Sequence, residues 1–280
     1  MEIILNRVSY IYDEGMSYET NALIGVDLRV GPGEFIGCIG RTGSGKSTLV
    51  KLFNGLIKPT YGGVYVDGQD INDVDYPIAS LRGKVGMVFQ YPEQQLFESS
   101  VIKDVMFGPT NQGLDTMTVE LRSFEALKKV GISEDLLDVP PLQLSGGQKR
   151  RVAIAGVLAM QPEILIMDEP TAGLDPGGQR DIFELLHSLH EQGITIVMIS
   201  HNMEDVANHT DRVWVMSEGR IVIDDKPDVV FSRPDVLEEL GLKSTVASYV
   251  SSSLKGRGLV PDGTVTTDKQ LINLFFPGAI

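Results

Sequence analysis

Gly40-Arg41-Thr42-Gly43-Ser44-Gly45-Lys46-Ser47-Thr48 is the stretch on which the reading turns. Its glycines let successive backbone N–H groups face inward as a nest for an anion, and the loop opens a helix whose N-terminus favours phosphate. In a loop of this form the lysine, here Lys46, reaches the β- and γ-phosphates, and the hydroxyl of Ser47 ligates Mg²⁺. A GxxxxGK[ST] pattern arises by chance in about one chain of this length in a hundred, so its surroundings have to decide. The apolar run Phe35-Ile36-Gly37-Cys38-Ile39 before it reads as a short buried strand, and Ser47 to Leu56 after it as a helix. Strand, glycine loop and helix in that order make a nucleotide phosphate site.

Two further motifs lie downstream. Ile164-Leu165-Ile166-Met167-Asp168-Glu169 is an apolar strand ending in two acids. Neighbouring strand residues point to opposite sides, but a turn at the strand end brings both carboxylates towards a nucleotide. Asp168 is then expected to hold Mg²⁺ through water, and Glu169 to polarise the attacking water as general base. Leu144-Ser145-Gly146-Gly147-Gln148 precedes a helix expected over Lys149 to Met160. Ser145 and the two glycines thus place free N–H groups at a positive helix end, a second anion site.

Outward from these motifs, strand signals fill the first ninety residues: Val26 to Val30, Val64-Tyr65-Val66 before the turn Asp67-Gly68, and Val85 to Phe89. Helical character then runs from about Val101 to Met160, with Leu121, Phe124, Leu127 and Val130 at helical spacing and Gly131 as the stop. Strands return at Ile164–Met167, Ile194–Ile199 and Val213–Met216. The result is an α/β domain with a helical insertion, followed by a tail from about Lys226. In that tail, Pro234 to Leu240 and Thr267 to Phe276 read as helices around a turn at Asp262-Gly263.

Composition excludes several classes. A chain of 280 residues with 42% hydrophobic content buries a sizeable core, and a net charge of −14 argues against a nucleic-acid partner. The single cysteine, Cys38, forms no internal disulfide and reads as a buried strand residue rather than a reactive thiol. The N-terminal residues lack the pattern of a secretory signal, and no run approaches the ~18 apolar residues of a membrane span, so action at a membrane would go through partners.

GRTGSGKST, LSGGQ and LIMDEP in that order resemble the ABC ATPase family over roughly residues 3 to 225. The resemblance implies a P-loop NTPase fold: a RecA-like core with an antiparallel β subdomain, a helical subdomain at about 98–160, and here a C-terminal extension, 226–280. It implies ATP and Mg²⁺ as ligands, and a composite site in which Ser145, Gly146, Gly147 and Gln148 of one subunit close over ATP bound to another. Gln90 matches the glutamine that senses Mg²⁺ and the γ-phosphate, Asp175 the aspartate that communicates across the dimer, and His201 the switch histidine. His187, His190 and His209 match nothing and read as surface or structural residues. The family stacks adenine on an aromatic near the start; Tyr10 and Tyr12 both qualify, and family spacing favours Tyr12.

Within the family, Gly86 to Phe97 (with Gln90-Tyr91-Pro92-Glu93-Gln94-Gln95-Leu96-Phe97), Asp104 to Pro109, and Val152 to Met160, in which Gly156 stands where many importers carry arginine, are similar to the ATPases of energy-coupling factor transporters. The match is to the second of two paralogous ATPases, and Leu259-Val260-Pro261-Asp262-Gly263 fits their tail. That resemblance implies vitamin or transition-metal uptake, a conventional ABC importer or exporter being the alternative. It implies a second ATPase subunit, an integral membrane scaffold docking near Gln90–Phe97, a substrate-binding membrane component, and a place at the cytoplasmic face of the membrane. Leu271, Leu274 and Phe275, with Phe276 beside them, make an apolar stripe in the tail. The residues leave open whether it folds onto its own core; the resemblance favours a contact between two ATPase tails. Long coiled coils, zinc modules and a second phosphate loop, marks of the chromosome-maintenance and translation branches, are missing from this sequence.

Overall fold

A computed structural model describes residues 1–255 and 265–276. The chain begins with β1 (Ile3–Tyr12), β2 (Thr20–Val30), β3 (Phe35–Gly40) and helix α1 (Lys46–Phe53). A hairpin of β4 (Tyr61–Val66) and β5 (Gln69–Asp70) follows, then α2 (Ile78–Lys84) and β6 (Val85–Val88). The helical insertion consists of α3 (Val101–Asn111), α4 (Thr116–Lys129) and α5 (Gly146–Leu158). Strands and helices then alternate through β7 (Ile164–Asp168), α6 (Pro176–Glu191), β8 (Thr195–Ile199), α7 (Met203–His209), β9 (Arg212–Ser217) and β10 (Arg220–Asp225). The tail contributes α8 (Pro227–Phe231), α9 (Pro234–Glu239), α10 (Val246–Lys255) and α11 (Asp268–Phe275).

Two sheets carry the fold. The six-stranded one has the order β10-β9-β3-β8-β7-β6, parallel except at β10, and the four-stranded one is antiparallel, β2-β1-β4-β5. Strands covered on both faces read as continuous apolar runs, which is why β3, β7 and β8 show no polar alternation. The period of two still divides them. Ile164 and Ile166 join Ile36, Cys38 and Trp214 in a core shared with Leu5, Val8 and Leu23 of the antiparallel sheet. Leu165 and Met167 join Phe35 and Ile39 in the opposite core, shared with Val105, Leu127 and Ile154 of the helical insertion. The parallel sheet is therefore the platform between two layers, and its carboxyl ends share one edge.

Several expectations shift. The second strand starts at Thr20 rather than Val26, because left-handed Gly25 breaks the alternation between them. The helix after Leu144 starts at Gly146, so the two glycines form its first turn instead of preceding it. Leu121 and Phe124 share helical spacing with the buried Leu127, yet Leu121 stays 57% and Phe124 36% exposed. In the tail, α8 and α10 were not anticipated, and Val230, Phe231, Leu237 and Leu242 of that region enter the main core. The predicted turn at Asp262-Gly263 and the Leu259–Gly263 match lie outside the described residues. No helix among the described residues is long and apolar enough to cross a membrane.

Candidate nucleotide site

Every residue of β3 is buried. The strand ends at Gly40, where a Cβ would stand 2.5 Å from the Met216 carbonyl, and a Cβ on left-handed Gly45 would meet the Ala22 carbonyl at 2.4 Å. Both positions exclude any side chain. Helix α1 then starts at Lys46, whose ammonium bends back to donate to the carbonyls of Gly40 (2.7 Å) and Arg41 (3.0 Å). Burial pulls the Lys46 pKa down, while the carboxylates of Glu169 and Asp168 pull it back up. Beneath the loop, burial pushes the Cys38 thiol up to about 12, so it stays protonated and inert, as the sequence suggested.

The acid pair comes from the next strand but one. Asp168 ends β7 opposite Ile199 of β8. Glu169 takes a left-handed conformation, φ +52°, and its N–H donates to the Ile199 carbonyl at 2.9 Å. That bend resolves the strand-end problem, because consecutive carboxylates now line the same cleft. Burial raises both carboxyl pKa values; Lys46 and His201 restrain Asp168, and His201 restrains Glu169. His201, just past β8, brings its Nε2 to 3.6 Å from Glu169 Oε1. That oxygen is buried without a hydrogen-bond partner among the described residues. An unpaired buried carboxylate oxygen is costly, and it suits a group that must hold an attacking water.

The cleft encloses about 420 Å³ and is lined by Tyr12, Thr42, Gly43, Gly45 to Thr48, Gln90, Asp168, Glu169 and His201. Tyr12 lies on its wall and its hydroxyl is 3.2 Å from Thr48 Oγ1. Tyr10 touches it edge-on, with ring centroids 4.8 Å apart, and packs towards the core. The wall also includes Thr20, Asn21 and Ala22, which the sequence reading missed because it began the second strand too late. Arg41 and Ser44 face away, beside Glu239 and Leu240 of the tail. The oxygen donors Ser47, Gln90 and Asp168 suit a hard divalent cation, whose charge would offset the partial burial of the Asp168 carboxylate.

Ser145-Gly146-Gly147-Gln148 and Asp175 do not line this cleft. Ser145 caps α5 in a reciprocal box with Gln148, the Gln148 N–H donating to its hydroxyl at 3.3 Å and Gln148 Oε1 accepting from its N–H at 2.9 Å. Neither glycine has positive φ, and among the described residues no atom beyond its chain neighbours and its own helix backbone lies within 4 Å of a Cβ built on either. Asp175 caps α6 by accepting from the Gly178 N–H at 2.7 Å. The remaining histidines are structural: His187 and His209 share a 2.8 Å hydrogen bond, His209 stacks on Phe183, and His190 holds the Gly33 carbonyl.

A sheet with a phosphate loop, an acid pair and a histidine at its carboxyl edge, interrupted by a helical insertion with a capped glycine helix start, defines an ATP-binding cassette. The chain belongs to the ABC transporter family, whose sequence pattern it matches over residues 23–172. It is 46% identical over 271 residues to the energy-coupling factor transporter ATP-binding protein EcfA2 of Caldanaerobacter subterraneus subsp. tengcongensis, covering 96% of this chain and 95% of that one. The protein of the same name from Symbiobacterium thermophilum is 47% identical, over 96% of this chain and 94% of its own. Among solved structures, cbiO1 of Clostridium perfringens, part of the ABC transporter complex cbiONQ, superposes with a TM-score of 0.75 at 40% identity, over 90% and 98% of the two chains. The cassette MJ0796, a dimer in a post-hydrolysis state with ADP and Pi, gives 0.71 at 32%, over 80% and 98%.

Proposed function

We propose that this chain is the ATP-binding and ATP-hydrolysing subunit that energises an energy-coupling factor importer of vitamins or transition-metal ions. The observation that carries this reading is the convergence of Lys46, Asp168, Glu169 and His201 on one cleft, while Ser145, Gly146 and Gly147 stand exposed elsewhere. Lys46 and the N–H groups of residues 40–48 bind the phosphates, and Tyr12 stacks on adenine. Ser47, Gln90 and, through water, Asp168 hold Mg²⁺, which when bound neutralises charge developing on the transferred phosphoryl group. Glu169 takes the proton of the attacking water, and His201 steadies that carboxylate and the γ-phosphate. A second ATPase subunit, a paralogue, supplies its own signature helix start to this cleft and receives Ser145 to Gln148 and Asp175 in return.

The relatives named above support the transporter assignment. In this reading the protein sits at the cytoplasmic face of the membrane, the segment Gln90–Phe97 receives the integral scaffold subunit, and a substrate-binding membrane component completes the importer. Tyr91 and Phe97 are exposed there, and Phe97 meets Phe107 edge-on at 5.1 Å. The test is uptake by vesicles holding the full complex. ATP-dependent uptake of a vitamin or metal ion that stops with Glu169→Gln in this chain is the expected result. Uptake indifferent to that substitution, or ATP-driven efflux instead, overturns the reading.

A further inference from the structure

Arg150 lies on α5, just beyond the exposed Ser145–Gln148 start, and only 4% of its side chain is exposed. Its guanidinium divides its donors between two other motif-bearing segments. Nε and Nη2 donate to Glu93 Oε2 and Oε1 at 3.2 and 3.4 Å, in the turn that follows Gln90. Nη1 donates to the carbonyls of Pro170 and Ala172 at 3.2 and 2.8 Å, in the turn that follows Glu169. A buried guanidinium is tolerated only when its donors are met, and a planar fork fixes the relative placement of its acceptors. One side chain therefore ties together the signature helix, the turn carrying the general base, and the segment assigned to the membrane scaffold.

We propose that Arg150 is a positioning residue for hydrolysis. It holds the signature helix and the Glu169 turn in one relation and makes Glu93 the third corner of the same frame. A shift of the segment after Gln90 is thereby passed to both halves of the hydrolytic apparatus. None of Arg150's hydrogen bonds touches the phosphate loop, so its loss should leave nucleotide binding intact and slow the step that follows. The proposal rests on the composite-site reading above.

The test compares full-length Arg150→Lys and Arg150→Gln with wild type and with Gly147→Val, measuring nucleotide affinity and thermal unfolding of the chain, and kcat and KM with its partner ATPase present. Lysine keeps the charge, but its single head cannot serve a carboxylate and two carbonyls together. Arg150→Lys should therefore fold and bind nucleotide within ~2-fold of wild type, with kcat lowered ~10- to ~100-fold, the loss that an ångström-scale misplacement brings. Arg150→Gln with Glu93→Gln should lose no more than Arg150→Gln alone, since both break one frame. Normal kcat in Arg150→Lys beside an impaired Gly147→Val overturns the assignment of Arg150. Normal kcat in both overturns the composite site itself. A variant that loses folding, binding and hydrolysis in step shows structural support only and also overturns the positioning role.

Discussion

The glycines of the phosphate loop and those of the signature differ in what demands them. At Gly40 and Gly45 the chain's own carbonyls stand where a Cβ would go. At Gly146 and Gly147 the backbone is ordinary helix, and among the described residues nothing stands near. Glycine loses more backbone freedom on folding than alanine, and no contact among the described residues requires it at these two positions. The cleft draws Lys46, Asp168, Glu169 and His201 together from this chain alone. The signature end stands exposed and apart from the cleft, which is where the proposed second subunit would approach.

Substitutions in the cleft should be the most damaging. Glu169→Gln should cut turnover ~100- to ~10,000-fold, the range for removal of a general base, while nucleotide still binds and the closed dimer accumulates. Lys46→Ala should act earlier, weakening binding by about 1.5–3 kcal/mol, the worth of hydrogen bonds to a charged group. Steady-state hydrolysis with a nucleotide titration separates the two. Undiminished hydrolysis in Glu169→Gln would remove it from the general-base role.

The signature end should behave in the opposite way. Gly147→Val should leave nucleotide affinity unchanged and lower turnover ~100-fold, because bulk would appear where the proposed composite site brings in another subunit's nucleotide. Gly147→Ala, at a compatible φ, should stabilise the isolated chain by about 0.4–1 kcal/mol. A drop in both stability and nucleotide affinity would mean that the glycines serve this chain's own fold. Purified alone, the chain should hydrolyse weakly and its specific activity should rise with concentration or with its partner ATPase present.

The cleft was legible because its chemistry is local in sequence. Residues 40–48 encode strand end, nest and helix start in one run, and Asp168-Glu169 ends an unmistakable apolar strand. What stayed hidden depends on backbone geometry or on distant pairing. The left-handed turn at Glu169 has no side-chain signature, so its effect could be required but not located. Thr20 to Ala22 were missed because Gly25 interrupts the period-two pattern that marks their strand. Arg150 carries no signal of its own in the sequence, and only the fold reveals that it is enclosed by Glu93, Pro170 and Ala172. Its burial runs against the usual reading of arginine as a surface residue.

The tail is intermediate between cleft and signature end. Asp228 of α8 accepts from Thr266 Oγ1 at 2.6 Å and from Gln270 Nε2 at 3.2 Å, which pins the start of α11 to its own chain. Yet none of α11's residues is buried, and Ile272, Phe275 and Phe276 remain exposed. An apolar helix face anchored at one end and left open suits a partner. Leu274→Asp with Phe275→Asp should weaken association of the ATPase pair without nucleotide by ~10-fold or more, with ATP binding to the separate chain preserved. Sedimentation of the pair decides it; unchanged association removes the tail from the interface, and loss of folding would place the stripe in the core.

The smallest predicted effect concerns the half-buried histidine pair, His187 and His209. His209 is half-buried, stacks on Phe183 with ring centroids 3.7 Å apart, and shares a 2.8 Å hydrogen bond with His187. Burial and then the neighbouring His187 lower its pKa to about 4. In the unfolded chain a histidine titrates near ~6.5. Between those values the unfolded state binds the extra proton, so the contribution is complete above the upper value and is lost as pH falls towards the lower one. Allowing for its partial exposure, the loss from His209 should be about 1 kcal/mol. Carboxylates raised by burial, Asp168 and Glu169 among them, act in the opposite sense, so the informative quantity is the difference between wild type and His209→Phe, which keeps an aromatic ring on Phe183. Chemical unfolding of both proteins at pH 7.5 and at pH 4.5 should show that difference shrinking at the acid end as wild type loses its advantage. A difference that stays constant across the two conditions would mean that His209 titrates alike in folded and unfolded chains, and that the pair is open to solvent after all.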